Sequence, residues 1–372
     1  MRSHASGPSL RSIAQRAGVS VAAVSMALRN HPRIPAATRT RLQQLALDLG
    51  WKPNPLLAEA MSAIRSGQPV TERVTLAWVT AHPRRDGWKR FPFFRRVHEG
   101  AVARAMAAGY HLEHFWLGDA DGHAARLSDI IATRGITGVM IAPLPAPDAM
   151  ALDWSQFSAV AIAYTLTAPR LHRASDNHVA SARTAVRALA AGGHRRIGLA
   201  LSREHDRRVM GLWTAGYLLQ MFDDGRSDAA SIHKPARLEE TAFLDWFGRN
   251  KLDAVVGADA CILNWLRASG RRVPKDASYA DLDVDKPDGT IAGIVQDAEG
   301  IGSAALDMLA GQLLRHERGI PDRPKLILIE SKWCNGASAR PVTAQEIGCA
   351  VIGSAGRIED SPPSVVHPAA FD

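Results

Sequence analysis

Two stretches of the chain carry side chains suited to touching another molecule. Between Gly18 and Asn30 the sequence reads GVSVAAVSMALRN. If Ser20 caps a helix there, Val21, Val24, Ala27 and Leu28 face inward, and Ala22, Ala23, Ser25, Met26 and Arg29 face outward. A helix facing solvent usually carries Glu and Lys on its outer side. This one is small and flat, with Ser20 and Val21 at its start and Arg29 and Asn30 at its end, which suits contact with base edges in a major groove. The second stretch holds Trp88, Phe91, Phe93 and Phe94. Ring faces of this kind stack on sugar C–H groups, though core packing is an equal use for any one of them. The H-x-x-H pair His111 and His114 falls on an expected strand, where the two side chains point to opposite faces, so no metal pair is expected. The sequence has no G-x-S-x-G elbow, no Walker-type phosphate loop and no G-x-G-x-x-G after a strand, so no enzyme is expected and no cofactor.

The elements that must position the first stretch form a compact head. Ser9 can cap a helix with Leu10, Ile13, Ala14 and Ala17 inside. Gly18 supplies a left-handed turn residue, and Val19 fills the angle between two helices. A third helix starts at Pro35, buries Leu42, Leu45, Ala46 and Leu49, and closes at Gly50. Residues 1–68 carry nine Lys or Arg against two acids, which is +7 of the formal +8 of the whole chain. A basic head on a nearly neutral body indicates a polyanion-binding module joined to something else. After it, WKPNPLLAEAMSAIRSGQP holds a short apolar run from Leu56 to Ile64, too short for a stable isolated helix.

The remaining residues alternate short apolar runs with helical patterns: strands at VTLAWVT, YHLEHFW, TGVMIAP, SAVAIAY, RIGLALS, LDAVVGA, SYADL, TIAGIVQ and LILIE, with helices between them, one spanning 207–222. That alternation predicts an α/β fold of parallel sheets flanked by helices, in two lobes, with a ligand cleft at the carboxyl ends of the strands. At 46% apolar and 22% charged residues the chain has the composition of an ordinary globular protein, not a disordered one. Cys261, Cys334 and Cys349 lie far apart and indicate neither a disulfide framework nor a zinc site. No secretory signal and no membrane-spanning run is read, which makes a cytoplasmic location the expectation.

The pattern L-x-x-I-A-x-x-A-G-V-S-x-x-x-V-S-x-x-L, followed by a third helix ending G-W-x-P-N, resembles the headpiece of the lactose-repressor (LacI) family of bacterial transcription regulators. RGITGVMIAPLP, SDNHVASARTAVRALAAGGHRRIGLALS, R-x-x-G at Arg208 to Gly211, and ESKWCNGASARP resemble that family's effector-binding core, itself similar to periplasmic sugar-binding proteins. The resemblance implies a helix-turn-helix headpiece at 1–53, a hinge at 54–70, a two-lobed effector and dimerisation domain at 71–341, and a tail at 342–372. It implies chain crossings between the lobes near 165, 295 and 323. It implies a homodimer on double-stranded, pseudo-palindromic operator DNA, with Asn54, Leu57 and Met61 joining the DNA contacts. The recognition helix departs from the family in reading Ala23-Val24-Ser25-Met26 where Thr-Val-Ser-Arg is common, and Ala60 stands at the hinge leucine position, leaving Met61 or Leu57 to enter the minor groove.

For the cleft, the resemblance implies that Arg208 holds effector hydroxyls or carboxylates bidentately, and that Asp283, with Asp281 as a rival, accepts hydroxyl hydrogens. Arg173 and Tyr164, near the implied first crossing, are further cleft candidates beside Trp88, and Asp176 is read as a helix cap. The whole reads as a DNA-binding regulator, expected to repress, with a small-molecule effector, expected to be a sugar. The competing reading is a sugar-binding protein without a DNA role, opposed by the basic head. The tail has no clear periodicity and is expected to be loose, without the leucine heptads of a tetramerising helix.

Overall fold

The computed structural model describes residues 10–28, 34–49, 74–226, 231–349, 351–352 and 358–359. It divides into two compact units, Met1–Arg73 and Val74–Asp372. In the first unit three helices, α1 (Leu10–Ala17), α2 (Val21–Leu28) and α3 (Ala36–Asp48), enclose a small core of Ile13, Ala14, Val24, Ala27, Leu42 and Ala46. Gly18 takes the turn at φ +67, and the Ala23 N–H donates to Ser20 Oγ at 3.1 Å, which caps α2. Val19 packs against the core between the helices. Val21, expected inside, is instead 43% exposed. As the first residue of its helix it stands beyond the turn that the core covers. Ser9, Gly50 and the hinge lie outside the described residues.

The second unit opens with β1 (Val74–Thr80), α4 (Pro92–Ala107), β2 (Tyr110–Trp116), α5 (Ala124–Thr133), β3 (Gly138–Ile141), β4 (Asp148–Ala149), β5 (Ser158–Ile162), β6 (Leu166–Ala168) and β7 (His172–Asp176). It continues with α6 (His178–Ala191), β8 (Ile197–Ala200), α7 (Arg203–Arg208), α8 (Leu212–Asp223), β9 (Ile232–His233), α9 (Glu240–Arg249), β10 (Ala254–Gly257), α10 (Cys261–Ala268), β11 (Ser278–Asp281) and β12 (Ala292–Val295). It closes with α11 (Ala298–Leu314), β13 (Leu326–Ile329), β14 (Lys332–Cys334), α12 (Ala344–Ile347), β15 (Val351–Ile352) and β16 (Ile358–Glu359). Two main sheets result, ordered β13-β7-β5-β3-β1-β2 and β16-β15-β14-β12-β11-β10-β8-β9. The first is parallel throughout, and its central strands are buried on both faces, which explains runs such as GVMI and SAVAI. The second is parallel from β9 to β12 and turns antiparallel at β14.

Each sheet is the heart of one lobe. In the first lobe α4 and α11 pack together on one face and share a core with Trp78, Met140 and Val160. In the second, α6 and α8 pair over Val256, Ala280, Ile294 and Trp333. The chain passes between lobes after β7 at Asn177, after β12 near 296, and between β13 and β14 near 330. The second passage falls where expected. The first and third come later than 165 and 323 because HRASD forms an unforeseen strand, β7, on which LILI of β13 pairs in parallel.

The expected helix over 207–222 is two helices, broken where Met210 and Gly211 take φ +56 and +75. The expected loose tail is corrected where it is described; residues 350, 353–357 and 360–372 lie outside the described residues. Val342, Ala344 and Ile347 are buried in the second lobe, α12 carries a capping box of Thr343 and Glu346, and β15 extends the sheet from β14. Elements of two to four residues leave too little periodicity to be read in advance.

Candidate functional site

The carboxyl ends of both parallel sheets open on one cleft of about 540 Å³. In the first sheet the strand order reverses at β1, which lies between β2 and β3, and in the second at β8, between β9 and β10. Loops leaving neighbouring strands diverge at such a point and leave a crevice for a ligand. His82 and Pro83 follow β1, Pro143 and Pro145 follow β3, and Ala163 and Thr165 follow β5. Glu204, His205 and Arg208 follow β8, and Asp283 and Asp285 follow β11. A cleft of this size holds a mono- or disaccharide.

Arg208 ends the short helix α7, which Ser202 caps by accepting the His205 N–H at 3.1 Å. From there its guanidinium reaches the other lobe, donating to the carbonyls of Leu144, at 3.2 Å, and Pro145. It also stands over the Phe94 ring, 5.7 Å from the centroid. Burial lowers its pKa from the ordinary arginine value, with Glu204 opposing. A single side chain thus joins both walls of the cleft, through hydrogen bonds that a ligand acceptor can replace.

Asp283 also lines the cleft, where its side chain opens to solvent while protein atoms crowd it on the other sides. That crowding, reinforced by Asp281 and Asp176, pushes its carboxyl up to about 7, with Arg96 opposing. Asp281 is not a rival for the same role. It is buried, accepts the Tyr279 hydroxyl at 2.6 Å and the Asp283 N–H at 2.9 Å, and so holds the turn that presents Asp283.

Three other expected site residues are placed elsewhere. Trp88 is 2% exposed and sits in the core among Trp78, His98 and His114, because the 3-10 turn Gly87–Arg90 directs it inward. The same turn sends Phe91, Phe93 and Phe94 to the cleft wall. Arg173 bonds to the carbonyls of Ala163 and Leu166 and lies over the Tyr164 ring, which fastens the 163–166 segment within its own lobe. Tyr164 is buried beneath that wall, between Arg173 and His178. Asp176 is not a helix cap either: Asn177 caps α6, while Asp176 accepts from the Ser181 and Ser331 hydroxyls.

Sequence reasoning missed His82, His178 and Trp213. All three are buried and line the cleft. Trp213 Nε1 and both ring nitrogens of His178 have no hydrogen-bond partner among the described residues. His178 Nδ1 lies 3.2 Å from Asp176 Oδ2 but out of line for a hydrogen bond. Buried polar atoms left unpaired at a cleft wall are what a polar ligand satisfies. A lone tryptophan in an apolar helix carries no mark of that role in the sequence.

In the headpiece, Ser20 and Val21 are exposed at the start of α2, and Ala23 and Met26 are half-buried. The side chains of Ala22 and Ser25, and Arg29, Asn30, Asn54, Leu57 and Met61 as a whole, lie outside the described residues. His111 is exposed, whereas His114 bonds Thr80 Oγ1 at 2.7 Å, and no group of three or more metal-ligating side chains occurs among the described residues. Among them, too, no helix is long and apolar enough to cross a membrane.

A three-helix headpiece with a helix-turn-helix, followed by a two-lobed α/β body with a cleft at its strand ends, defines a class of ligand-responsive DNA-binding proteins. Residues 9–54 match the family of bacterial regulatory proteins of the lacI family, and residues 186–339 match the periplasmic binding protein-like domain. The chain thus joins a lacI-type DNA-binding domain to a periplasmic binding protein-like domain. No curated protein matches the sequence. Among solved structures it is similar to a transcriptional regulator CelR–cellobiose complex (20% identity, 89% of this chain and 99% of that one, TM-score 0.55). It is also similar to the lac repressor dimer bound to operator and the anti-inducer ONPF (16% identity, 88% and 97%, TM-score 0.51). A putative LacI-family regulator from Rhizobium etli gives 16% identity over 73% and 100%, with a TM-score of 0.58. At these identities the structures speak for the fold alone.

Proposed function

We propose that this chain is a transcriptional repressor that acts in the cytoplasm as a homodimer. Each headpiece takes one half-site of a pseudo-palindromic operator, with the start of α2 against base edges and residues 54–70 as the hinge. A sugar in the cleft changes operator affinity by preferring one arrangement of the lobes, because a ligand shifts an equilibrium only through differential affinity for its states. The observation that carries this reading is Arg208, which links the lobes by hydrogen bonds that a ligand in the cleft can exchange for its own. Relatives of the same fold solved with cellobiose and with glucose support a sugar as the effector class.

The test is a gel-shift series on operator fragments selected from random duplexes, using the full chain and a chain lacking residues 1–68. About five phosphate contacts per headpiece give a log–log salt slope near −9 for the dimer, and the truncated chain is expected to fold but lose its DNA affinity. Binding that is flat with salt, or that survives truncation, would leave a ligand-binding protein without a DNA role.

A further inference from the structure

The two walls of the cleft differ in charge: Arg90 and Arg96 come from the first lobe, and Glu204, Asp283 and Asp285 from the second, from which Arg208 reaches across. At the aromatic wall Arg90 stands over the Phe91 ring at 4.8 Å and Arg208 over the Phe94 ring at 5.7 Å, and His82 lies 5.8 Å from both rings. Burial, together with the Arg208 and Arg90 charges, holds His82 below its ordinary pKa against its hydrogen bond to the Pro143 carbonyl, so both guanidinium groups act on one small region. Their commitments differ. Arg208 is engaged by the Leu144 and Pro145 carbonyls, and the nearby Arg96 is held by Glu299 and the Gln296 carbonyl. Arg90 is exposed at the cleft wall and forms no ion pair among the described residues, while Asp86 on the same turn pairs with Lys89 at 2.8 Å. The second lobe contributes Asp283 and Asp285 to the same cleft, which is also lined by Trp213 and His178, whose Nε1 and ring nitrogens lack hydrogen-bond partners among the described residues on side chains only 6% and 4% exposed.

We propose that the effector is a sugar acid, a polyhydroxylated molecule with one carboxylate, which Arg90 receives at the aromatic wall while the hydroxyls meet Asp283 and the Trp213 N–H. The proposal rests on the sugar-effector reading above and narrows it. A guanidinium lying on a ring keeps its edge donors free, and that edge fits a carboxylate bidentately. The ring faces beside it suit the C–H side of a pyranose. A carboxylate on Arg90 displaces no existing hydrogen bond among the described residues, whereas one on Arg208 must first replace its two carbonyls. A dianionic phosphate would bring a second charge toward Glu204, Asp283 and Asp285.

The test is calorimetric titration of the full-length protein with three matched pairs: glucose and glucuronate, galactose and galacturonate, mannose and mannuronate. Glucose 6-phosphate is added as a seventh ligand. At least one uronate is expected to bind about tenfold or more tighter than its neutral aldose, and Arg90→Gln is expected to bring that ratio close to one. An aldose that binds as tightly as its acid overturns the inference and leaves the sugar-effector reading standing. Glucose 6-phosphate binding more tightly than every uronate overturns the single carboxylate. If no member of the panel binds, the sugar-effector reading fails, and the inference fails with it.

Discussion

The two lobes bring their helices together in the same way and turn different faces to the cleft. In the first lobe α4 crosses α11 at Gly100 and Gly302, where an added Cβ would lie 2.2 Å from the Glu299 carbonyl oxygen and 2.0 Å from that of Val97. In the second, α8 crosses α6 at Gly216, where a Cβ would lie 2.4 Å from the Val179 carbonyl oxygen. At both crossings a glycine lets one helix backbone pack directly on the other. The walls then diverge: Phe91, Phe93, Phe94, His82 and Arg90 come from the first lobe, and Glu204, His205, Trp213, Asp283 and Asp285 from the second. Packing is shared, and recognition is divided.

The shared part gives the largest expected effect. Gly302→Leu drives a side chain into the α4 backbone, which has nowhere to move without separating from α11. A loss of about 3 kcal/mol is expected, at the upper end for overpacking, and with it a fall in Tm of roughly 10 °C. Gly248→Ala in α9 is the control, since its Cβ would meet nothing within 4 Å. It should be neutral or stabilise by up to about 1 kcal/mol. Scanning calorimetry on both variants checks the pair, and equal Tm values would mean that the crossing tolerates a larger separation than its geometry suggests.

The divided part is probed next by Arg208→Ala. Removing a half-buried, charged hydrogen-bonding group from a small polar ligand costs about 2 kcal/mol, or roughly 30-fold in effector affinity. Operator affinity without effector is measured alongside, since the variant also removes the bonds from Arg208 to the other lobe. Arg208→Lys keeps the charge but loses the fork that reaches both carbonyls, so it should recover little. Effector titrations followed by operator release distinguish these outcomes. Recovery by lysine would reduce the role of Arg208 to a point charge.

Legibility followed the distance over which each feature is determined. The headpiece core of Ile13, Ala14, Val24 and Ala27 was readable because α1, Gly18 and α2 specify one another within twenty residues. Most buried strands were readable from their apolar runs. β7 was not, because HRASD is polar, and its partners come from far along the chain: His172 Nδ1 accepts the Lys325 N–H at 2.8 Å, and Asp176 accepts from Ser331. The same dependence hid His178 and Trp213, which differ from core residues only in facing a cleft built from both lobes. The aromatic group was legible as a cluster but not in its sorting, since one 3-10 turn decides that Trp88 goes in and Phe91 goes out.

The smallest expected effect concerns the acidic wall and its cost to the folded protein. Crowding by protein atoms on the sides away from solvent, then Asp281 and Asp176, raise the Asp283 carboxyl from its ordinary 3.8 to about 7, with Arg96 opposing and Asp285 adding slightly. A carboxyl raised in the native state keeps its proton to higher pH than it does in the unfolded chain. Unfolding therefore releases a proton between about pH 4 and pH 7, and stability falls as pH rises through that window. Above it, this group adds no further slope. Asp283→Asn removes the ionisation and should leave Tm unchanged at pH 4 while raising it by ~2 °C at pH 8. The slope will not vanish, because burial raises Asp281 in the same direction. A Tm gain equal at both pH values would point to packing instead of charge, and no gain at pH 8 would show that cleft water already neutralises the cost. If the gain appears, the second lobe holds an unpaired carboxylate at a loss to its own stability, as expected where a residue is kept for a ligand's hydroxyls and not for the fold.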